Sequence, residues 1–157
     1  MHAWLAAAGG FLLAVLWMDL IFDVQVLGHP ARGGDVPEPV LASIAAYYRR
    51  ATTDSRPMSH LIGGVMAATL AVLLVELFRG DEARPVVGAS LALVGAPIAL
   101  AYVRVLPNAI RLGRRTDTSG TQSALARAIC RDHLLCFAMV LAFVALQLWA
   151  AGGLHGA

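Results

Sequence analysis

Two aspartates four residues apart, Asp19 and Asp23, two histidines, His60 and His133, and one arginine, Arg104, interrupt or border stretches that are otherwise apolar. On a helix the i, i+4 spacing puts both carboxylates on one face. Two carboxylates and two imidazoles are suitable ligands for Fe, Mn or Zn, and the same groups can move protons. Arg104, Asn108 and Arg111 recur at i, i+4, i+7 and would form one stripe of another helix. Turned toward Asp19 and Asp23, that stripe would make a buried Asp–Arg network, in which Arg104 and Asn108 orient a substrate oxygen or simply hold helices together. Asp132 and Cys136 are alternative ligands close to His133. A bis-His haem is disfavoured, because His60 opens its segment whereas His133 comes well inside its own. Between metal and arginine, arginine is the expected partner of Asp19.

The elements that must carry these residues are long and apolar. Hydrophobic residues make up 59% of the 157-residue chain, and mean hydropathy is +0.70. Four segments, 3–27, 58–78, 85–106 and 124–150, each reach the roughly 20 residues that cross a ~30 Å hydrocarbon core. The prediction is one all-α domain, an integral-membrane antiparallel four-helix bundle, with a short amphipathic helix at 38–50 in the first loop. Alternating direction brings Asp19, Asp23, His60, Arg104 and Cys130–His133 to one end, with Glu76 alone at the other. Ionisable groups at membrane depth are costly and so mark a candidate functional site. Asp19, about 12 Å below Leu27 at 1.5 Å per residue, is the deepest.

All twelve basic residues are arginines, a usage that fits a GC-rich bacterial genome. Most lie in the first and third connections, so the positive-inside rule puts the polar end on the cytoplasmic side of a bacterial inner membrane and both termini outside. The basic third connection is a topology signal, and no nucleic-acid partner is expected. Expected partners are the lipid bilayer, a lipophilic small molecule and, if transport occurs, a second copy forming a homodimer. Cys130 and Cys136, about 9 Å apart along one helix, are too far apart to bridge.

Several local signals set boundaries. Gly28 and Pro30 stop the first span. Pro37 and Pro39 start the amphipathic helix, whose Leu41, Ile44, Ala45 and Tyr48 share a face. That helix is expected to lie in the membrane plane, with a lid over the bundle as the alternative. Asp54 or Ser55 would cap the second span, Gly80 and Asp81 make the exit from it, Gly113 stops the third helix, and Thr121 or Ser123 caps the fourth. Pro107 deprives the carbonyl four residues back, that of Val103, of its partner. Gly33–Gly34 is not a phosphate loop. Two compact motifs, Asp19-Leu20-Ile21-Phe22-Asp23 and Tyr47-Tyr48-Arg49-Arg50, carry chemistry to which the sequence attaches no activity.

The stretch 102–144 resembles the anthrone-oxygenase-like family of small four-span membrane proteins. Leu106-Pro107-Asn108 closes the third span, a polar connection follows, and Arg131-x-His133 opens the last span. The resemblance implies oxidation of a lipophilic phenolic or quinone-like substrate entering from the bilayer, with Asn108, Arg131 and His133 as the residues carried over. The functional expectation is therefore an oxidoreductase or oxygenase with a cytoplasm-facing polar pocket. In it Asp19, Asp23, His60 and His133 bind metal or move protons. The alternative is a non-enzymatic membrane protein, a proton relay of transporter type or an assembly subunit, whose Asp–Arg cluster is structural.

Overall fold

The computed structural model describes all residues except 31, 33, 55, 81 and 154–157, and the side chains of 56 and 153. The expected roles of Gly33, Ser55 and Asp81 lie outside the described residues. Among these the chain is helical without strands: α1 (His2–Asp23), α2 (Glu38–Arg49), α3 (Arg56–Arg79), α4 (Arg84–Leu100), α5 (Leu106–Arg114) and α6 (Ser119–Gly153). A 3₁₀ turn (Val24–Gly28) extends α1, and α4 runs through a wide π turn (Ala101–Val105) into α5. Four helical stretches are long and apolar enough to cross a membrane: His2–Gly28, Pro57–Arg79, Arg84–Arg114 and Ser119–Gly152. This is the architecture of a multi-pass membrane protein built as an all-α four-helix bundle.

The third span outruns its expected end at Leu106 because Pro107 widens the helix instead of breaking it. The Leu106 N–H reaches back five residues to the Ala101 carbonyl, the bond of a π turn. Gly113 is not the stop. The helix ends at Arg115, in the left-handed conformation (φ 56°), and Gly113 serves close approach. A Cβ there would lie 3.1 Å from the Arg49 backbone nitrogen. Likewise, α6 begins at Ser119, with Thr118 Oγ1 accepting the Thr121 N–H at 3.4 Å. Ser123 does not cap it; its hydroxyl accepts the Val36 N–H at 2.9 Å and ties down the first loop.

Around the bundle, α1 packs along α6, α6 along α4, and α4 along α3, while α3 touches α1 only sparsely. Leu5, Leu12, Leu73, Val94, Val140 and Phe143 form the core between the spans. Gly9 lets α1 close on α6: a Cβ there would meet Val144 at 2.6 Å. The amphipathic helix turns its apolar face onto the bundle, the arrangement of a lid. Leu41, Ile44, Ala45 and Tyr48 are buried in a second core with Val105, Ala109, Leu112, Ala126 and Ile129. Burying a large apolar side chain is worth about 1.5–3 kcal/mol, so this face holds α2 down as a lid. An Arg115–Glu38 ion pair fastens its start.

Polar groups are not confined to one end, as the sequence suggested. At the opposite end, buried His2 contacts Gln147 Oε1 through Nδ1 (2.8 Å) and Glu82 Oε1 through Nε2 (2.9 Å). Gln147 Nε2 in turn donates to the Ser90 hydroxyl (2.7 Å), which donates to the Val86 carbonyl (2.7 Å). This chain links α1, the α3–α4 turn, α4 and α6.

Gly113→Ala should therefore destabilise the protein by about 1–3 kcal/mol through overpacking against the lid backbone. Gly64→Ala, whose Cβ meets nothing within 4 Å, should not destabilise it. Thermal unfolding in detergent compares the two; equal melting temperatures would contradict the close lid contact.

Candidate functional site

Near the lid end of α1, Asp19 and Asp23 present their carboxylates on one face, and the adjacent pair Tyr47 and Tyr48 lies across them. The Tyr48 hydroxyl donates to Asp23 Oδ1 at 2.6 Å, and the Tyr47 hydroxyl donates to Asp19 Oδ1 at 2.6 Å. The two motifs without an assigned activity are thus each other's partners. Tyr47 is further fixed by stacking on Phe22, with ring centroids 4.2 Å apart. Asp23 has no exposed surface. Its second oxygen lies 2.6 Å from His133 Nδ1, so both oxygens are satisfied, as a buried carboxylate requires. Ionised Asp23 needs a donor there, which assigns the ring proton to Nδ1.

His133 Nε2 consequently points away from Asp23. It lies 3.8 Å from Asp19 Oδ2, too far for a hydrogen bond. Among the described residues Nε2 makes no hydrogen bond, although the side chain is only 7% exposed. Both Asp19 and His133 line a cavity of about 500 Å³. Its walls are apolar, with Leu12, Leu16, Ile62, Met66, Val94 and Val140 prominent, and Tyr47 and Tyr48 close its polar end. Two π turns contribute to it, Ala101 and Tyr102 from the one inside the third span, and Arg50, Ala51 and Thr52 from a second, Arg50–Asp54, that follows α2. Lining residues Met18 on α1 and Met58 on α3 are about half exposed. The cavity lies beside the seam where α1 and α3 barely touch.

The other expected site residues go elsewhere. The Arg104–Asn108–Arg111 stripe does not face Asp19 and Asp23, so Asp19 is answered by a tyrosine and not by an arginine. Arg104 pairs with buried Asp132 (3.2 Å), and Arg111 makes a two-point contact with Asp117 (2.7 and 2.8 Å). Arg131 is exposed and folds onto its neighbour Asp132 (3.2 Å). Asn108 is half-buried, and neither it nor Arg131 lines the cavity. His60 is exposed on α3 and does not join the carboxylates. Among the described residues no three His, Cys, Asp or Glu side chains form a group suited to a metal ion. With Asp23 committed to two hydrogen bonds and His60 turned away, the four expected ligands do not assemble a metal site. Cys130 and Cys136 are free, buried thiols, and Cys136 lines the cavity.

No protein-family model, curated protein or solved structure matches the chain.

Tyr47 and Tyr48 belong to the lid, outside the spans. Burial, followed by the adjacent carboxylates, pushes both phenols above their ordinary range, so they remain donors at any pH the fold tolerates. The unfolded chain loses these protons near pH 10 while the native protein keeps them, so this contribution to stability is complete below about pH 10 and is lost above it. In a Tyr102→Phe protein, alkaline titration should give no tyrosinate absorbance until tertiary structure is lost. A reversible tyrosinate signal in the folded protein would contradict the hydrogen bonds to Asp19 and Asp23.

Proposed function

We propose that this protein binds a lipophilic molecule that enters from the bilayer between α1 and α3, and exchanges a proton with its polar head at Asp19 and His133. The observation that carries this reading is the 3.8 Å gap between Asp19 Oδ2 and His133 Nε2 at the polar end of an apolar cavity. Two hydrogen-bonding atoms at that separation are too far apart to satisfy each other and well placed to share a third group. A cavity of about 500 Å³ falls within the range of small-molecule sites, which pair apolar walls with a few polar groups.

Asp23 accepts the Nδ1–H of His133 in both protonation states of the ring, leaving Nε2 as the atom that takes up or releases a proton toward the cavity. Asp23 is therefore a positioning residue, and His133 and Asp19 are the groups that meet the ligand. This is the proton-relay reading of the chain. The oxidative reading implied by the family resemblance has one supporting observation: His133, alone among its three residues, lines the cavity. For location, the arginines of the first and third connections support a bacterial inner membrane with the polar end toward the cytoplasm.

In nanodiscs, a naphthyl alcohol with one hydroxyl head should bind saturably. Met66→Trp, which fills the cavity, should weaken binding by about tenfold or more, ~1.4 kcal/mol. Leu74→Trp, on the same helix but outside the cavity, should leave binding unchanged. Non-saturable binding, or equal effects of the two substitutions, would remove the pocket reading.

A further inference from the structure

The charges at the polar end do not balance. Asp23 and His133 neutralise each other when the ring is an imidazolium, joined at 2.6 Å. Asp19 is left over. Among the described residues its only ion-pairing neighbour is the same histidine, at 3.8 Å, and Tyr47 offers a hydroxyl and no charge. The other titratable or charged groups around it are few. Tyr48 on α2 is committed to Asp23. Tyr102 in the π turn of the third span and Cys136 on α6 carry no positive charge. Arg50 lines the cavity but is exposed, at the solvated rim, and Asp132 is already paired with Arg104 and Arg131. A negative charge left at the end of an apolar cavity is expensive, and a mobile cation would neutralise it.

We infer that the ligand is a lipophilic amine, bound as its ammonium ion against Asp19 Oδ2 and exchanged there for a proton. This rests on the pocket reading above and names the class of molecule that the pocket takes. In the empty pocket the proton sits on Asp19. When the amine enters, its N–H donates to Asp19 Oδ2, its charge replaces that of the proton, and the proton leaves through the rim beside Arg50. The apolar wall holds the body of the ligand. The charge count also separates this class from phenols. A phenol enters neutral, leaves the proton on Asp19 and brings no positive charge to exchange for it, so its binding releases no proton.

The test compares naphthylmethylamine with its neutral counterpart, naphthylmethanol, by calorimetry in zwitterionic nanodiscs between about pH 5 and 8, where an alkylamine stays cationic. The amine should bind about tenfold or more tighter than the alcohol. Its affinity should rise with pH, by up to about tenfold per unit, because binding releases about one proton. Asp19→Asn should abolish the preference for amine while leaving alcohol binding in place. Should that variant fail to fold, proton release into weakly buffered solution is read on the wild type: about one proton per amine bound and none per alcohol. Alcohol binding as tight as amine binding, or amine binding with no proton release, overturns the amine assignment and leaves the pocket standing. Failure of both ligands to bind overturns the pocket as well.

Discussion

A carboxylate with no exposed surface must have both oxygens hydrogen-bonded, and Asp23 obtains its partners from two different helices. Tyr48 approaches from the lid and His133 from α6, each at 2.6 Å. Bonds to a charged group contribute about 1.5–3 kcal/mol each, and leaving such a group unpaired costs more than the bond itself. Asp23 therefore fixes where α2 lies, how α6 is rotated against α1, and which ring nitrogen of His133 faces the cavity. The lid's apolar face adds the energy that keeps it closed, but the carboxylate sets its position. The pocket follows from that geometry, since its polar end is the side of the Asp23 cluster that the lid and α6 leave uncovered.

The irregular turns extend the same logic. Both π turns, Arg50–Asp54 and Ala101–Val105, border the cavity. An extra residue in a helical turn widens it, and such turns recur where a helix must open space for a ligand. For the turn at Ala101–Val105 Pro107 supplies the cause, because it has no N–H to give and its ring crowds the preceding turn. In the proposed binding mode the sparse contact between α1 and α3 supplies the entrance. Side chains at that seam include Met18, Met58 and Met66, unbranched and adaptable enough to part around a ligand. The buried chain from His2 through Gln147 and Ser90 holds the far end of the bundle together, so opening at the seam need not loosen the whole.

Hydropathy alone made the four spans and their alternating direction legible, because crossing a membrane demands long apolar runs. The shared face of Asp19 and Asp23 was equally legible from spacing. Their partners were not, since a short helix such as α2 is placed by tertiary packing and its apolar face fits a lipid surface as well as a bundle. The arginine stripe failed for a different reason. Arg104 sits inside the π turn and Asn108 and Arg111 follow it, so counting at 3.6 residues per turn misplaces them by about one residue's rotation. The His2 chain left no pattern at all: a histidine, a serine and a glutamine, each isolated in its own segment, meet only in three dimensions. The clearest missed signal was Tyr47-Tyr48, two adjacent phenols on a helix long enough to reach two carboxylates one turn apart.

Nitrogen-15 NMR of the protein in nanodiscs, with labelled histidine and His133 assigned by substitution, tests the central claim directly. Through a pH titration Nδ1 should keep its proton, hydrogen-bonded to Asp23, while Nε2 gains and loses one and shifts when a ligand occupies the cavity. A neutral ring protonated on Nε2 instead, or an Nε2 signal unmoved by both pH and ligand, would contradict the account.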